Sequence, residues 1–220
     1  MHTPSRPEDL EHPELLWARA VTMAMVDTAC STGTEFALDD DGLWCHSTGG
    51  DGWWRLTLVD EGHAVFCGQD PDGSHTHVDG EQIDFLAGGP DWLPWELLRD
   101  DAAGNLFGFV YWWENGAWHR IPYPDEVRED GLDGAAAWVG ADEEEFLALT
   151  VSSFDAPSTR QRSLTDAVAR FAALARERKA DAGAVAALLA AAHTEGRPAP
   201  RLDAALDLAT RAGILSQSVS

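Results

Sequence analysis

Two pairs of adjacent tryptophans, Trp53-Trp54 and Trp112-Trp113, constrain this chain more than any other feature. Each pair lies in a short run of aromatic and branched residues bounded by turn-forming sequence, the pattern of a strand. Neighbouring side chains of a strand point to opposite faces of its sheet. One ring of each pair must therefore lie on each face. Either helices cover both faces, or one indole of each pair meets solvent. In the first run Trp54, Leu56 and Leu58 share a face, and Trp53, Arg55, Thr57 and Val59 take the other.

The strand pattern recurs along the middle of the chain. Thr34–Leu38, Leu43–His46, Trp53–Val59 and Ala64–Cys67 are strand-like. Asp39-Asp40-Asp41-Gly42, Gly49-Gly50-Asp51-Gly52 and Asp60-Glu61-Gly62 separate them as turns. Connections this short predict an antiparallel meander. A further hairpin is expected from Leu106–Trp113 and Ala117–Ile121, because Asn115-Gly116 between them suits a tight turn. A short helix is expected at Trp95–Arg99.

Helical signals flank the strands. Pro13 suits a first helical turn, and Leu15 to Cys30 is apolar on nearly every face, so this helix should be buried on several sides. Asp142 can cap a helix from Glu143 to about Ser152. After about residue 156 the chain becomes Ala-rich. There Ser163 and Asp166 form a capping-box-like pair, followed by a stripe of Leu164, Val168 and Phe171. A second helix should follow Asp181, and a third should run from Arg201 to Ala212, stopped by Gly213.

The expected fold is α+β. A mostly antiparallel sheet, built of a meander and the Asn-Gly hairpin, carries a buried N-terminal helix and a C-terminal three-helix unit packed on it. The corresponding divisions are a flexible arm (1–12), an acidic Trp-rich α+β domain (13–156) and an Ala-rich helical tail (157–220) docked on that domain.

Charge follows the same division. Residues 1–159 hold 32 acidic and 6 basic residues, whereas 160–220 hold 9 basic and 6 acidic, for a total of −23. Nine of the ten tryptophans lie between Trp44 and Trp138. An acidic body repels nucleic acid and attracts cationic surfaces. The tail's small positive excess is too weak to predict nucleic-acid binding. Cys30, Cys45 and Cys67 are an odd number without CxxC spacing, which fits reduced thiols. The N-terminus lacks the order of a secretory signal. Leu15 to Cys30 is too short, and too interrupted by Arg19 and Asp27, to span a bilayer. A cytoplasmic protein with no membrane partner is expected; the sequence sets no oligomeric state.

Two constellations could carry function. His63, Asp70, Asp72, His75 and His77 offer imidazoles and carboxylates close in sequence, and His-x-His on a strand points both rings to one face. This set would support a metal-dependent hydrolase or related small-molecule enzyme, although Asp70-Pro71-Asp72-Gly73 is equally a plain turn. A thiol and an imidazole could also pair if the strand of Cys45-His46 and the strand of His63 and Cys67 are neighbours and the groups face each other. No nucleophile elbow or phosphate-cradling glycine loop is present, and no cofactor is expected.

The second constellation is Trp53, Trp54, Trp112, Trp113 and Trp118 with Asp39, Asp40 and Asp41. Exposed indoles beside carboxylates suit Arg and Lys by cation–π contact and charge pairing. An acidic, Trp-rich chain without a catalytic signature resembles bacterial immunity and antitoxin-like proteins in composition. That resemblance implies a non-enzymatic protein engaging a basic protein partner.

Overall fold

The computed structural model describes residues 1–30, 35–46, 52–152, 158–193 and 198–216. Its strands are β1 (Phe36–Asp39), β2 (Gly42–His46), β3 (Trp53–Val59), β4 (His63–Gln69), β5 (His77–Val78), β6 (Glu81–Gln82), β7 (Phe109–Glu114) and β8 (Ala117–His119). Its helices are α1 (Pro13–Cys30), α2 (Trp95–Gly104), α3 (Leu132–Ala136), α4 (Glu143–Ser152), α5 (Ser158–Arg176), α6 (Ala182–Ala192) and α7 (Leu202–Arg211). The fold is α+β, as the sequence predicts.

The chain forms two compact units. Residues 1–13 and 39–140 make one; residues 14–38 and 141–220 make the other. The change of composition near residue 156 falls outside the described residues, as does the Gly49–Asp51 part of an expected turn.

The six-stranded antiparallel sheet has the order β1-β2-β3-β4-β7-β8, of which β2, β3, β4, β7, β8 and only the last residue of β1, Asp39, belong to the first unit. Strands are therefore neighbours in chain order, and the segment carrying β5, β6 and α2 is an insertion between β4 and β7. At the β7–β8 hairpin Asn115 (φ 52°) and Gly116 (φ 83°) both take the left-handed conformation. This is the type I′ turn that a two-residue hairpin prefers, and Asn-Gly adopts it readily.

Register places Leu56 opposite Phe66 and Phe66 opposite Tyr111, with Thr57, Val65 and Trp112 aligned on the other face. Each face is closed. On one, Trp53, Val65, Cys67, Val110 and Trp112 pack with Phe85, Leu93, Leu98 and Phe107 of the insertion, and with Ile121 and Val127. On the other, Trp54 sits 5.9 Å from Phe66 and 5.2 Å from Trp138, and Phe66 lies 5.5 Å from Phe109. Gly68 makes that last layer possible. A Cβ there would come within 2.3 Å of the Trp53 carbonyl oxygen and 2.7 Å of the Phe109 ring.

Residues 1–12, expected to be a loose arm, are tied down. Leu10 and Ser5 are buried. The Ser5 N–H donates to Asp130 Oδ1 at 3.3 Å, and its hydroxyl donates to Asp130 Oδ2 and lies 2.7 Å from Tyr111 Oη. Tyr123 Oη donates to the same carboxylate at 3.1 Å. Burial, then the Asp130 charge, push the Tyr111 hydroxyl well above its ordinary pKa, so it stays a neutral hydrogen-bonding group. These partners lie more than 100 residues from Ser5, so no local pattern announces them.

The second unit is helical. Here α1 packs with the C-terminal helices, and Leu16, Ala20, Val21, Ala24 and Met25 are fully buried, as an all-round apolar helix requires. Trp17 Nε1 donates to Ala212 O at 2.9 Å, and the Arg201 N–H donates to Ala29 O at 3.0 Å. A reciprocal capping box opens α4: Glu145 N donates to Asp142 Oδ1 (2.9 Å) and Asp142 N to Glu145 Oε2 (3.2 Å). Asp181 caps α6 through Ala184 N (2.8 Å). The expected capping pair at Ser163 and Asp166 is instead interior to α5, which begins five residues earlier. Ser163 turns its hydroxyl back to Arg160 O (2.8 Å), a bond available inside a helix. No helix among the described residues is long and apolar enough to cross a membrane.

Gly68→Ala is expected to destabilise the sheet unit by about 1–3 kcal/mol through overpacking. Urea unfolding followed by tryptophan fluorescence reads this. Gly104→Ala, where an added Cβ meets nothing within 4 Å, is the control and should leave the midpoint unchanged or raised. Equal midpoints for the two variants would contradict the described packing of β3, β4 and β7.

Candidate functional site

The five tryptophans expected to form a binding face are mostly core. Trp53, Trp54, Trp112 and Trp118 are buried, at 8%, 3%, 7% and 4% exposure. Trp113 is half-buried, with its ring 4.9 Å from that of His12. The rings of each pair do part to opposite faces, and because both faces are covered only Trp113 of the four keeps partial exposure. Of the indole N–H groups, Trp112 donates to Glu114 Oε1 (3.3 Å) and Trp118 to Glu11 O (2.7 Å), whereas the buried Trp53 Nε1 has no partner among the described residues. These rings stabilise the unit and present little face to a partner.

The His/Asp set does not assemble. Among the described residues no three His, Cys, Asp or Glu side chains are placed to hold a metal ion. His63 stacks on Trp92, ring centroids 4.2 Å apart, and donates from Nδ1 to Asp60 O at 3.1 Å. Asp70 folds its carboxylate onto Asp72 N (2.9 Å), the plain turn that its sequence also allowed. His75 lies in a loop and accepts from Arg128 N (2.9 Å), while His77 begins β5 with its Nδ1 2.9 Å from Thr76 Oγ1. Only one residue of the His-x-His pair is on a strand, so strand alternation does not align the rings.

The thiols are equally separated. In register Cys45 faces Trp54 and Cys67 faces Arg55, which places them on opposite faces of the sheet. His63 and Cys67 share a face but lie four residues apart along β4, roughly 13 Å at the strand rise. Burial pushes the Cys67 thiol far up, followed by the Asp101 charge, with Arg55 opposing. A thiol so shifted is not a nucleophile.

What the fold does bring together is an acidic corner. Asp39, Asp40 and Asp41 are exposed at the turn between β1 and β2. Asp41 N donates to Asp39 Oδ1 at 3.0 Å, and Thr57 Oγ1 donates to Asp41 O at 2.6 Å, which fixes the turn on β3. The half-buried Trp44 follows on β2 and donates from Nε1 to Asp39 Oδ2 at 3.2 Å. Register puts Arg55 opposite Trp44. The Arg55 guanidinium reaches Asp101 on α2, with Nε 3.2 Å from Oδ2 and Nη2 3.3 Å from Oδ1, and lies 3.7 Å from Asp39.

Helix geometry explains Asp101. It lies one turn after Leu98, on the face that α2 buries against the sheet, so its carboxylate enters a partly dry site. Burial raises its pKa above the usual carboxylate range; Arg55 pulls it back, and the charges of Asp41 and Asp39 push it up again. Two carboxylates, Asp101 and Asp39, thus flank one guanidinium, and with the Asp41 charge close enough to act on Asp101 the corner keeps a negative excess beside a half-buried indole. Trp44, Arg55 and Asp101 were absent from the residues singled out by sequence. The available signal was Trp44 itself, five residues after Asp39 across a short turn.

The chain matches no known protein family, and comparisons with curated proteins and with solved structures find no match.

Arg55→Met is expected to raise the Asp101 pKa, read by NMR titration of its carboxyl group. With the pKa already above the unfolded value, ionising Asp101 costs stability as pH rises through its range, and Arg55 offsets that cost. The variant should therefore lose about 1–3 kcal/mol at neutral pH and progressively less as the pH falls and Asp101 takes up its proton. A pH-independent loss would remove Asp101 from the account.

Proposed function

We propose that this chain is an acidic binding protein that engages a basic protein partner at the corner formed by Asp39, Asp40, Asp41 and Trp44. The observation that carries the reading is Trp44, a half-buried indole held by Asp39 beside exposed carboxylates. An Arg or Lys of the partner stacks on the ring and pairs with the flanking Asp side chains; cation–π contact of this kind is worth about 0.5–2 kcal/mol. The wider charge supports the same partner. The unit made of residues 1–13 and 39–140 contains 24 acidic and 5 basic residues, a formal charge of −19. A field of that sign draws cationic surfaces in and speeds association in low salt. This is the mode of action that the compositional resemblance to immunity and antitoxin-like proteins implies. Occupying a partner, rather than transforming a substrate, needs no converging catalytic set. The metal-hydrolase alternative has no geometric support.

The test is retention of a basic protein from a lysate of the source cells on immobilised chain, at about 50 mM and about 500 mM salt, which spans strong to weak screening. A basic protein should be held at low salt and released at high salt. Asp39→Asn/Asp40→Asn/Asp41→Asn and, separately, Trp44→Ala should each weaken retention, the latter about tenfold. Retention that both variants leave intact, or no basic protein held at low salt, would sink the reading.

A further inference from the structure

Arg55 carries more hydrogen-bond donors than its surroundings satisfy. The side chains of Arg55 and Asp101 are only 14% and 12% exposed, so solvent does little to fill the deficit. Nη2 makes a hydrogen bond, to Asp101 Oδ1 at 3.3 Å. Nε lies 3.2 Å from Asp101 Oδ2 but out of line. Both of those atoms, and Arg55 Nη1, are buried without a hydrogen-bond partner among the described residues. Leaving a buried donor unmatched is costly.

An acceptor for Nη1 lies close by. Asp39 Oδ1 is 3.7 Å away, about 1 Å beyond the usual hydrogen-bond length. The guanidinium is therefore bonded to one carboxylate and within a small movement of another. Asp39 is already the centre of the acidic corner, because its Oδ2 accepts from Trp44 Nε1 and its Oδ1 from Asp41 N. A guanidinium drawn onto Oδ1 neutralises the charge that a partner's cation would meet beside the indole.

A proton decides between the two acceptors. Ionised Asp101 holds Arg55 by a charge-assisted contact, and a neutral carboxyl holds it about half as strongly. Burial disposes Asp101 to take up that proton; Arg55 opposes, and the charges of Asp41 and Asp39 favour it again. Other groups around the guanidinium do not take this part. Cys67, opposite Arg55 on β4, keeps its proton because burial pushes the thiol far up. Trp44, opposite on β2, carries no charge, and His46 beyond it is exposed, as are Asp40 on the turn and Asp100 on α2.

We propose that Arg55 is a proton-controlled switch of the acidic corner. Paired with ionised Asp101 it leaves Asp39 to the partner; when Asp101 is protonated it moves onto Asp39 and closes the corner to cations. The switch rests on the reading of the corner as a partner site and adds a direction to it: acid releases the partner. By linkage, a cation bound at the corner returns Arg55 to Asp101 and disfavours the proton there.

The test uses the full chain in low salt. The Asp101 carboxyl carbon and the Trp44 indole N–H are followed together by NMR as the pH falls. Hexa-arginine peptide, as the cationic probe, is titrated by calorimetry at neutral pH. The Trp44 signal should move with the Asp101 transition. In Asp101→Asn, a stand-in for the protonated acid, that signal should already be displaced in the same direction at neutral pH. The peptide should then bind about tenfold more weakly. Asp100→Asn removes the same charge from the exposed neighbour on α2 and should leave both readouts close to those of the wild type. A Trp44 signal indifferent to Asp101, or equal effects of the two asparagines, would overturn the switch even with the peptide bound. A wild-type chain that ignores the peptide while Trp44 follows Asp101 would instead overturn the corner as a partner site, and with it the role given to the switch.

Discussion

Strand alternation is the constraint on which the sheet unit depends. Trp53 and Trp54 are neighbours in β3, as are Trp112 and Trp113 in β7, so large indoles emerge on both faces of one sheet. A sheet that is apolar on both sides needs two covers. The insertion between β4 and β7 supplies one, with Phe85, Leu93, Leu98 and Phe107 packed on Trp53 and Trp112. Trp138, tilted against Trp54 and edge-on to Phe66, belongs to the other. The first residues of the chain are drawn in as well, since Ser5 binds Asp130 and Glu11 accepts from Trp118. A loose arm at 1–12 is therefore incompatible with the way this sheet is finished.

Covering both faces also decides what surface remains. With Trp53, Trp54, Trp112 and Trp118 inside, the unit keeps a charged surface in which carboxylates outnumber basic residues 24 to 5. Arg55 lies between two of those carboxylates, Asp101 and Asp39. Its position opposite Trp44 sets one indole beside the acidic turn instead of in the core. Charge and aromatic surface coincide there because register, not composition, brings β1, β2 and β3 to the same corner.

The helical unit is organised by different means. Its helices are rich in alanine and can approach closely, and α1 is buried on nearly every side. Small side chains also leave space when a seam does not close, and a cavity beside Arg19 is such a place.

Much of the architecture was legible in the residues themselves. The meander, the Asn115-Gly116 hairpin, the buried helix after Pro13 and the caps at Asp142 and Asp181 follow from short-range physics: alternation, positive-φ turns, all-round apolarity and orphan N–H groups. Candidate sites fared differently. The residues from His63 to His77 are close in sequence but are separated by a turn at Asp70 and a loop at His75, which nearness in the chain does not reveal. By itself the sequence determined that the rings of each tryptophan pair part to opposite faces. Only the tertiary structure decided that both faces are covered, that Ser5 reaches Asp130, and that Trp44 and Arg55 meet Asp101. Those outcomes rest on contacts between residues far apart in the chain, and no local propensity encodes them.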